Sequence, residues 1–436
     1  MIARYSTGQE VKYMISILEK LNIVMMILMT AAYSYHAVYT VIGLLGHKQE
    51  DNSNASPMRY AALICARNEA AVIGELIHSL KQQDYPAKLL DIYVLADNCT
   101  DDTARQAKKA GALVYQRFNR EKVGKGYALD ELLGNIDRDG GLERYEGFFI
   151  FDADNIVDPG FVREMNRTHA RGYQVITSYR NSKNFAGNWI AYGYAVWFLH
   201  EARFINFPRM RLGTSCAVSG TGFLVSTKVL RRCGGWPFHL LTEDIQFSVD
   251  CALKGEKIGY CDTAMLYDEQ PEHFSQAWNQ RLRWSKGFYQ IDRQYLGALL
   301  KGALHSDHKM SCYDLMMTVA PAMLLSVAFV LLNVGALAAC LLLPAAAVQL
   351  LLLRTLRYLL FTLLFAYAGL LLLGLLTVLK EWKRIQVPTV QKLIYLPLFP
   401  LFMATYIPIA LVALFRRVEW TPIRHNSLKQ LQRSVR

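Results

Sequence analysis

Asp152 and Asp154 stand two positions apart in "FIFDADN", at the end of an apolar run that reads as a buried strand. In a strand this spacing turns both carboxylates to one side. Two hard oxygen ligands there suit Mg²⁺ or Mn²⁺ carrying a ligand's phosphates. Two earlier strands end in "CARNEA" and "LADNCTDDT", which brings Asn68, Glu69, Asp97 and Asp101 to the same edge. Asp97 lies directly at its strand end and is the better ligand candidate, whereas Asp101 and Asp102 read as caps of the next helix. In "KVGKGYAL", Lys122, Gly124, Lys125 and Gly126 precede a helix, where backbone donors and ammonium groups can hold a diphosphate; a solvated turn is the alternative. In "LLTEDIQFSVDCALKG", Thr242 reads as an N-cap with Glu243 and Asp244 in the first helical turn. These acids either complement the helix dipole or, if buried, act as a base toward a hydroxyl. In "QRLRW", Gln280, Arg283 and Trp284 fall at i, i+3 and i+4 of a helix and share one face. That face offers hydrogen bonding, fixed charge and stacking, although an interfacial helix anchored by Arg and Trp has the same look.

The elements that must position these groups alternate. "YAALICA", "LDIYVLAD", "ALVYQR" and "GFFIFDAD" read as strands, and "NEAAVIGELIHSLKQQ", "DDTARQAKKAG" and "GKGYALDELLGNI" as the helices between them. The expected fold is α/β: a Rossmann-like, mainly parallel sheet covered on both faces, with ligands at the carboxyl ends of its strands.

Of the 436 residues, 53% are hydrophobic and 19% charged, which leans toward membrane association. Residues 21–45 carry no Asp, Glu, Lys or Arg and exceed the roughly 20 residues needed to cross a bilayer. They read as a retained anchor with His47 and Lys48 at its cytoplasmic end, so the following domain is expected in the cytosol. Residues 315–343, 359–379 and 393–415 are each apolar enough to span, the last made irregular by Pro397, Pro400 and Pro408. One span before the domain and three after it place the basic tail outside, against the positive-inside tendency. An extra span around Arg354 and Arg357, or a last segment that does not fully cross, would return it to the cytosol. The expected layout is an anchor over 1–48, a catalytic domain over 58–272, interfacial helices over 273–312, a membrane region over 313–416 and a basic tail over 417–436.

The net charge of +12 is scattered and concentrates at membrane flanks such as "KEWKR", which argues for anionic lipid or a small anion and against nucleic acid. Eight cysteines show neither CxxC pairing nor metal spacing and read as reduced thiols.

Taken in order, "FDAD", "SGTGF", "TED" and "QRLRW" resemble the signature of membrane-embedded family-two glycosyltransferases, which build β-linked polysaccharides on a GT-A fold. The resemblance runs from about residue 60 to residue 290. It implies an inverting, processive enzyme at the plasma membrane that passes a hexose or N-acetylhexosamine from a UDP-sugar to a growing polysaccharide and couples synthesis to export. Donor binding falls to Ala66, Asn68 and Glu69 of the "ARNE" loop, with Asp97 on the uracil ring and Lys125, Asp152 and Asp154 on the diphosphate. Asp152 and Asp154 are the implied ligands of Mg²⁺ or Mn²⁺. Asp244 is the implied base, with Glu243 beside it, and Arg283 binds the departing diphosphate. Gly220, Thr221, Gln280 and Trp284 face the acceptor. Arg281 fits the Q(Q/R)xRW form of processive members. The tail motif "VEWTPIRH" would lie over the site if cytosolic, but Trp420 and His425 receive no role. The implied partners are the UDP-sugar, a polysaccharide acceptor and the lipid bilayer, with an accessory subunit left open. Two alternatives remain: a single-transfer enzyme on a membrane lipid, of the ceramide-glucosyltransferase type, and a silent membrane subunit.

Overall fold

The computed structural model describes residues 2–46, 55–185, 187–339, 345–418 and 425. The chain enters through α1 (Ile2–Tyr33) and α2 (Tyr35–Leu45). The uncharged run of residues 21–45 is therefore not one span: it breaks at Ser34, and the stretch long and apolar enough to cross is Ile15–Tyr33. The remainder, α2, packs on the domain instead, because Arg203 donates to the carbonyls of Gly43 (2.7 Å) and Gly46 (2.5 Å) at its end.

The strands are β1 (Tyr60–Ala66), β2 (Leu90–Asp97), β3 (Leu113–Arg117), β4 (Gly147–Asp152), β5 (Ile156–Val157), β6 (Val175–Ser182), β7 (Phe223–Ser226) and β8 (Ile258–Asp268). They form one sheet in the order β3-β2-β1-β4-β7-β6-β8-β5. The first four are mutually parallel, as the alternation predicts. The sheet is mixed overall, since β7 runs antiparallel between β4 and β6, and β5 runs antiparallel on β8. The two-residue period of the strands sorts the core. Tyr60, Ala62 and Ile64 pack with Ile73, Leu76 and Ile77 of α3 (Ile73–Lys81), on the face that also carries α4 (Thr103–Lys109). Ala61 and Leu63 pack with Ala128, Leu129 and Leu132 of α5 (Lys125–Gly140) on the other. A further helix, α6 (Phe161–Ala170), joins the α3 face.

After β6 the chain runs through α7 (Trp189–His200), a π-helical stretch Glu201–Asn206 and α8 (Phe207–Leu212) without a break. Beyond β7 come α9 (Thr227–Cys233) and α10 (Glu243–Leu253), then α11 (Phe274–His305), which carries "QRLRW", and α12 (Lys309–Val319). The apolar C-terminal region holds α13 (Pro321–Ala339) and α14 (Ala345–Lys380), followed by α15 (Thr389–Ile394), α16 (Phe399–Ala404) and α17 (Tyr406–Phe415). Asn22 of α1 and Asn333 of α13 exchange hydrogen bonds of 3.1 and 2.9 Å, a buried amide clamp between apolar helices.

Arg354 and Arg357 lie within α14, so no hidden extra span exists there. At 36 residues this helix is about 54 Å long, well beyond the roughly 30 Å hydrocarbon core. By length and composition Leu352–Lys380 and Thr389–Phe415 both qualify as spans. Their surroundings differ. Lys392 accepts from Tyr192 (2.6 Å), Phe402 from Arg281 (3.1 Å), Ala410 from Tyr289 (3.2 Å) and Ala413 from Lys286 (3.0 Å). The segment from α15 to α17 therefore rides along α7 and α11 at both its ends and in its middle. Arg281 is fully buried there, with its guanidinium 4.4 Å from the Phe402 ring centroid and bonded to Thr405 (2.6 Å). It fastens α16 to the domain and does not reach the cavity described below.

The seven described cysteines are unpaired, as expected of reduced thiols; Cys340 lies outside the described residues.

Candidate active site

A cavity of about 1010 Å³ opens at the carboxyl ends of β1, β2 and β4 and continues between the apolar C-terminal helices. Its lining includes Ala66, Glu69, Asp97, Lys125, Asp152, Asp154, Gly220, Glu243, Asp244, Gln280, Arg283 and Trp284. Residues more than two hundred positions apart thus meet on one space.

Strand pairing fixes the donor-side carboxylates. Cys65 of β1 lies opposite Asp152 of β4, so the end of "FDAD" abuts the start of the "ARNE" loop. Lys125, the first residue of α5, pairs with Asp152 and donates to the Gly220 carbonyl (2.6 Å). Asp154 is 5% exposed and accepts from the backbone N–H of Glu269 (2.9 Å). Burial alone would raise its pKa, but His425, Lys183, that N–H and Arg180 together hold the carboxyl below the usual aspartate range. Asp97 is buried with Arg117 (2.6 Å), which also grips Glu131 (2.7 Å). Nothing in "ALVYQR" singled out Arg117, because its partner comes from the neighbouring strand.

Asn68 and Thr221 sit elsewhere than on the cavity wall. Asn68 has φ +59° and accepts from the Thr100 N–H (2.8 Å), bracing the "ARNE" turn. Thr221 is 3% exposed; its hydroxyl accepts from the Asp152 N–H (2.9 Å) and pairs with Asn155, so it pins the end of β4. Lys122 likewise offers its carbonyl to Arg117 (2.6 Å) and is not part of the lining.

Glu243 and Asp244 open α10. Burial raises the pKa of both; the Asp244 charge raises Glu243 further, while Lys125 opposes the rise in each. Asp244 also feels Asp152. Gly220 has φ +78°, a left-handed conformation that favours glycine, and a Cβ there would make ordinary contact with Asp244 Oδ2 at 3.4 Å. Thr242 holds the N-cap position without capping: its hydroxyl is buried and bonds to nothing among the described residues.

On α11, Gln280 Oε1 and Arg283 Nε are buried without hydrogen-bond partners among the described residues. Burial lowers the pKa of the Arg283 guanidinium, while the charges of Glu243, Asp152 and Asp244 oppose that shift. Trp284 stands edge-on to Tyr194 (5.9 Å) and Phe198 (6.5 Å) with part of its indole in the cavity. Gly287 lets α11 approach α10: a Cβ there would lie 2.5 Å from Thr242 Oγ1 and 2.6 Å from its Cγ2. Gly287→Ala should therefore lower stability by about 1–3 kcal/mol and displace the Glu243–Asp244 turn. Thr242→Gly in the same chain should recover part of the loss; thermal unfolding and transfer assays of the single and double variants check this.

His425 is the group that sequence reasoning passed over. Its Nδ1 lies 3.0 Å from both oxygens of Glu69, and although burial would lower its pKa, Asp154, Glu69 and Glu269 push it up to about 10. No local pattern marks it, since its importance comes from where the tail returns. Trp420 lies outside the described residues.

A family model described as glycosyltransferase like family 2 matches residues 57–287. The beta-monoglucosyldiacylglycerol synthase of a Nostoc species is 27% identical over 288 residues, 63% of this chain and 58% of that protein. The poly-beta-1,6-N-acetyl-D-glucosamine synthase of Staphylococcus aureus is 25% identical over 238 residues, 52% of this chain and 54% of that protein. The chain thus spans somewhat more than half the length of these curated relatives. Among solved structures, the Pyrobaculum calidifontis mannosyltransferase PcManGT, in complex with GDP-Man and Mn²⁺, superposes with TM-score 0.54 at 16% identity, covering 84% of this chain and all of that one. At that identity the likeness concerns the fold, a Rossmann-like GT-A domain with apolar helices added at both ends.

Proposed function

Since the chain belongs to glycosyltransferase like family 2, we propose that it transfers a hexose or N-acetylhexosamine, with inversion, from a UDP-sugar to a hydroxyl presented from a membrane. The observation that carries this reading is the convergence of Asp152, Asp154, Asp244, Arg283 and Trp284 on one cavity. Asp244 takes the proton of the acceptor hydroxyl, the oxygen attacks the anomeric carbon, and the sugar–phosphate bond breaks with its electron pair leaving on UDP. Arg283 and Lys125 meet the charge that grows on the diphosphate. The carboxylate of Asp97 left free by Arg117 is suited to the uracil N–H, and Trp284 gives an acceptor ring a flat apolar surface.

Among the described residues no three His, Cys, Asp or Glu side chains form a metal cage of their own. Asp152 and Asp154 fit Mg²⁺ or Mn²⁺ of the kind that keeps phosphate oxygens as its remaining ligands, and such an ion would neutralise the leaving diphosphate.

The resemblance alone puts a polysaccharide first as acceptor; the cavity wall supports a lipid instead. Beyond Trp284 the lining includes Leu360, Leu363, Leu364 and Leu370 of α14 with Met403 and Ile407, among which stand Tyr367 and Tyr406. Leu360, Leu363 and Leu364 are also 57%, 61% and 55% exposed on the apolar exterior, so the cavity wall is continuous with the lipid-facing surface. Such a wall cannot replace the water around polymer hydroxyls, but it suits acyl chains. A lipid acceptor also agrees with the name of the Nostoc relative, whereas that of Staphylococcus aureus supports the polymer.

We place the catalytic domain on the cytosolic side of the plasma membrane, with α1 crossing once and α13 and α14 crossing out and back. The contacts of α15 to α17 along the domain, and of His425 with Glu69, support a tail on the domain's own side. Incubation of the membrane-reconstituted chain with labelled UDP-sugars and Mg²⁺ or Mn²⁺ should give label that extracts into organic solvent with one sugar per lipid. High-molecular-mass product would restore the polysaccharide reading, and donor binding without hydrolysis or transfer would point to a silent subunit.

A further inference from the structure

Trp197, Phe198, Glu201, Ile205 and Arg209 all line the cavity. Their spacing of about four residues keeps them on one face of the continuous α7–π–α8 helix, a stripe roughly 18 Å long. Between the aromatic pair and Ile205, Glu201 is the single polar side chain of this stretch, and it begins the π-helical turn. Such turns recur where a helix re-aims a side chain into a working site.

Glu201 Oε1 accepts from Ser219 Oγ (2.8 Å), and among the described residues nothing hydrogen-bonds Oε2. Ser219 is the residue before Gly220, where an added Cβ would come within van der Waals contact of Asp244 Oδ2 (3.4 Å). Its carbonyl is held by Arg180 Nη1 (3.1 Å), and Arg180 is itself paired with Asp268 and stacked 3.7 Å from the Phe198 ring centroid. The free carboxylate oxygen is therefore one residue along the "SGTGF" turn from the group that faces the reacting hydroxyl. An acceptor atom left open between the aromatic pair and Ile205 asks for a donor from the ligand.

We propose that Glu201, held by Ser219, is a subsite for a second hydroxyl of the acceptor, so that the preferred acceptor is a lipid with a polyhydroxylated headgroup, a sugar or polyol, over a lipid with a single hydroxyl. This rests on the transfer reading above. The reacting hydroxyl goes to Asp244 and its neighbour on the same headgroup donates to Glu201. A merely structural glutamate, bracing Ser219, would affect all acceptors alike.

The test compares octyl β-D-glucopyranoside with 1,2-dioctanoylglycerol as acceptors for the full chain in nanodiscs, with UDP-sugar hydrolysis measured alongside. The wild type should favour the glucoside at least ten-fold in kcat/KM. Glu201→Ala should lower kcat/KM at least ten-fold more for the glucoside than for dioctanoylglycerol, mostly through acceptor KM. Glu201→Gln, which keeps an oxygen for Ser219, should fold normally and fall between them. Equal use of the two acceptors by the wild type overturns the subsite, as does a parallel loss on both in the variants. Hydrolysis without use of either amphiphile also overturns it while leaving the donor chemistry standing. If no UDP-sugar is hydrolysed or transferred, the transfer reading itself falls.

Discussion

Asp244→Asn should lower sugar transfer by about 10²- to 10⁴-fold with little change in UDP-sugar binding. The amide keeps the shape of the side chain beside Gly220 but has no lone pair basic enough to take a hydroxyl proton. The pH profile carries the same signature. Burial raises the folded pKa of Asp244 and Glu243, so the working carboxylate protonates at a higher pH than an exposed aspartate. The acid limb of kcat/KM should accordingly lie above the ordinary aspartate range, with activity present above it and lost as pH falls through it. Single-turnover rates with labelled donor, together with nucleotide titrations, separate chemistry from binding. A variant that transfers at the wild-type rate, or one that merely loses donor affinity, would remove Asp244 from the role of base.

Arg283→Ala should cost about 10²- to 10³-fold in kcat, because it removes the guanidinium aimed at the diphosphate as charge develops there. The structure adds a reason to expect a large effect. Arg283 Nε is buried with no hydrogen-bond partner among the described residues, so this donor is free to meet an arriving anion. Removing the side chain also takes away the cation that offsets the buried charges of Glu243, Asp152 and Asp244, so some loss of stability should accompany the loss of rate. Arg283→Lys should recover only part of the rate, as a point charge lacks the fork that grips two phosphate oxygens. Rates measured beside thermal unfolding and UDP affinity check the claim. A variant that unfolds early with its kcat intact would make Arg283 a structural residue.

Within the chain, local order and long-range order were unequally legible. The boundaries of β1 and β2 coincide with "YAALICA" and "LDIYVLAD", because the period-two apolar pattern of a buried strand is set by immediate neighbours. "FDAD" at a strand end and "TED" at a helix start were likewise visible, since both follow from where a single element stops or begins. Asn68 and Thr221, expected on the donor and acceptor sides, lie off the cavity wall, because a loop residue's direction depends on the segment it leans against. Residues 21–45 showed enough apolar length for a span, but composition does not say where a helix breaks. The turn at Ser34 is accompanied by α2 docking on Arg203, which lies 160 positions beyond Gly43.

The sequence by itself determined the alternating α/β core, the acidic strand ends and the presence of helices apolar enough for a bilayer. All of these are carried by periods and runs along the chain. Only the tertiary structure decided that Arg117 holds Asp97, that α15 to α17 lie along the domain, that His425 meets Glu69 and that Glu201 lines the cavity. Each of those depends on hydrogen bonds or charge pairs between residues far apart in the chain. Their free energy arises only when burial removes water from both partners, and no local pattern encodes that.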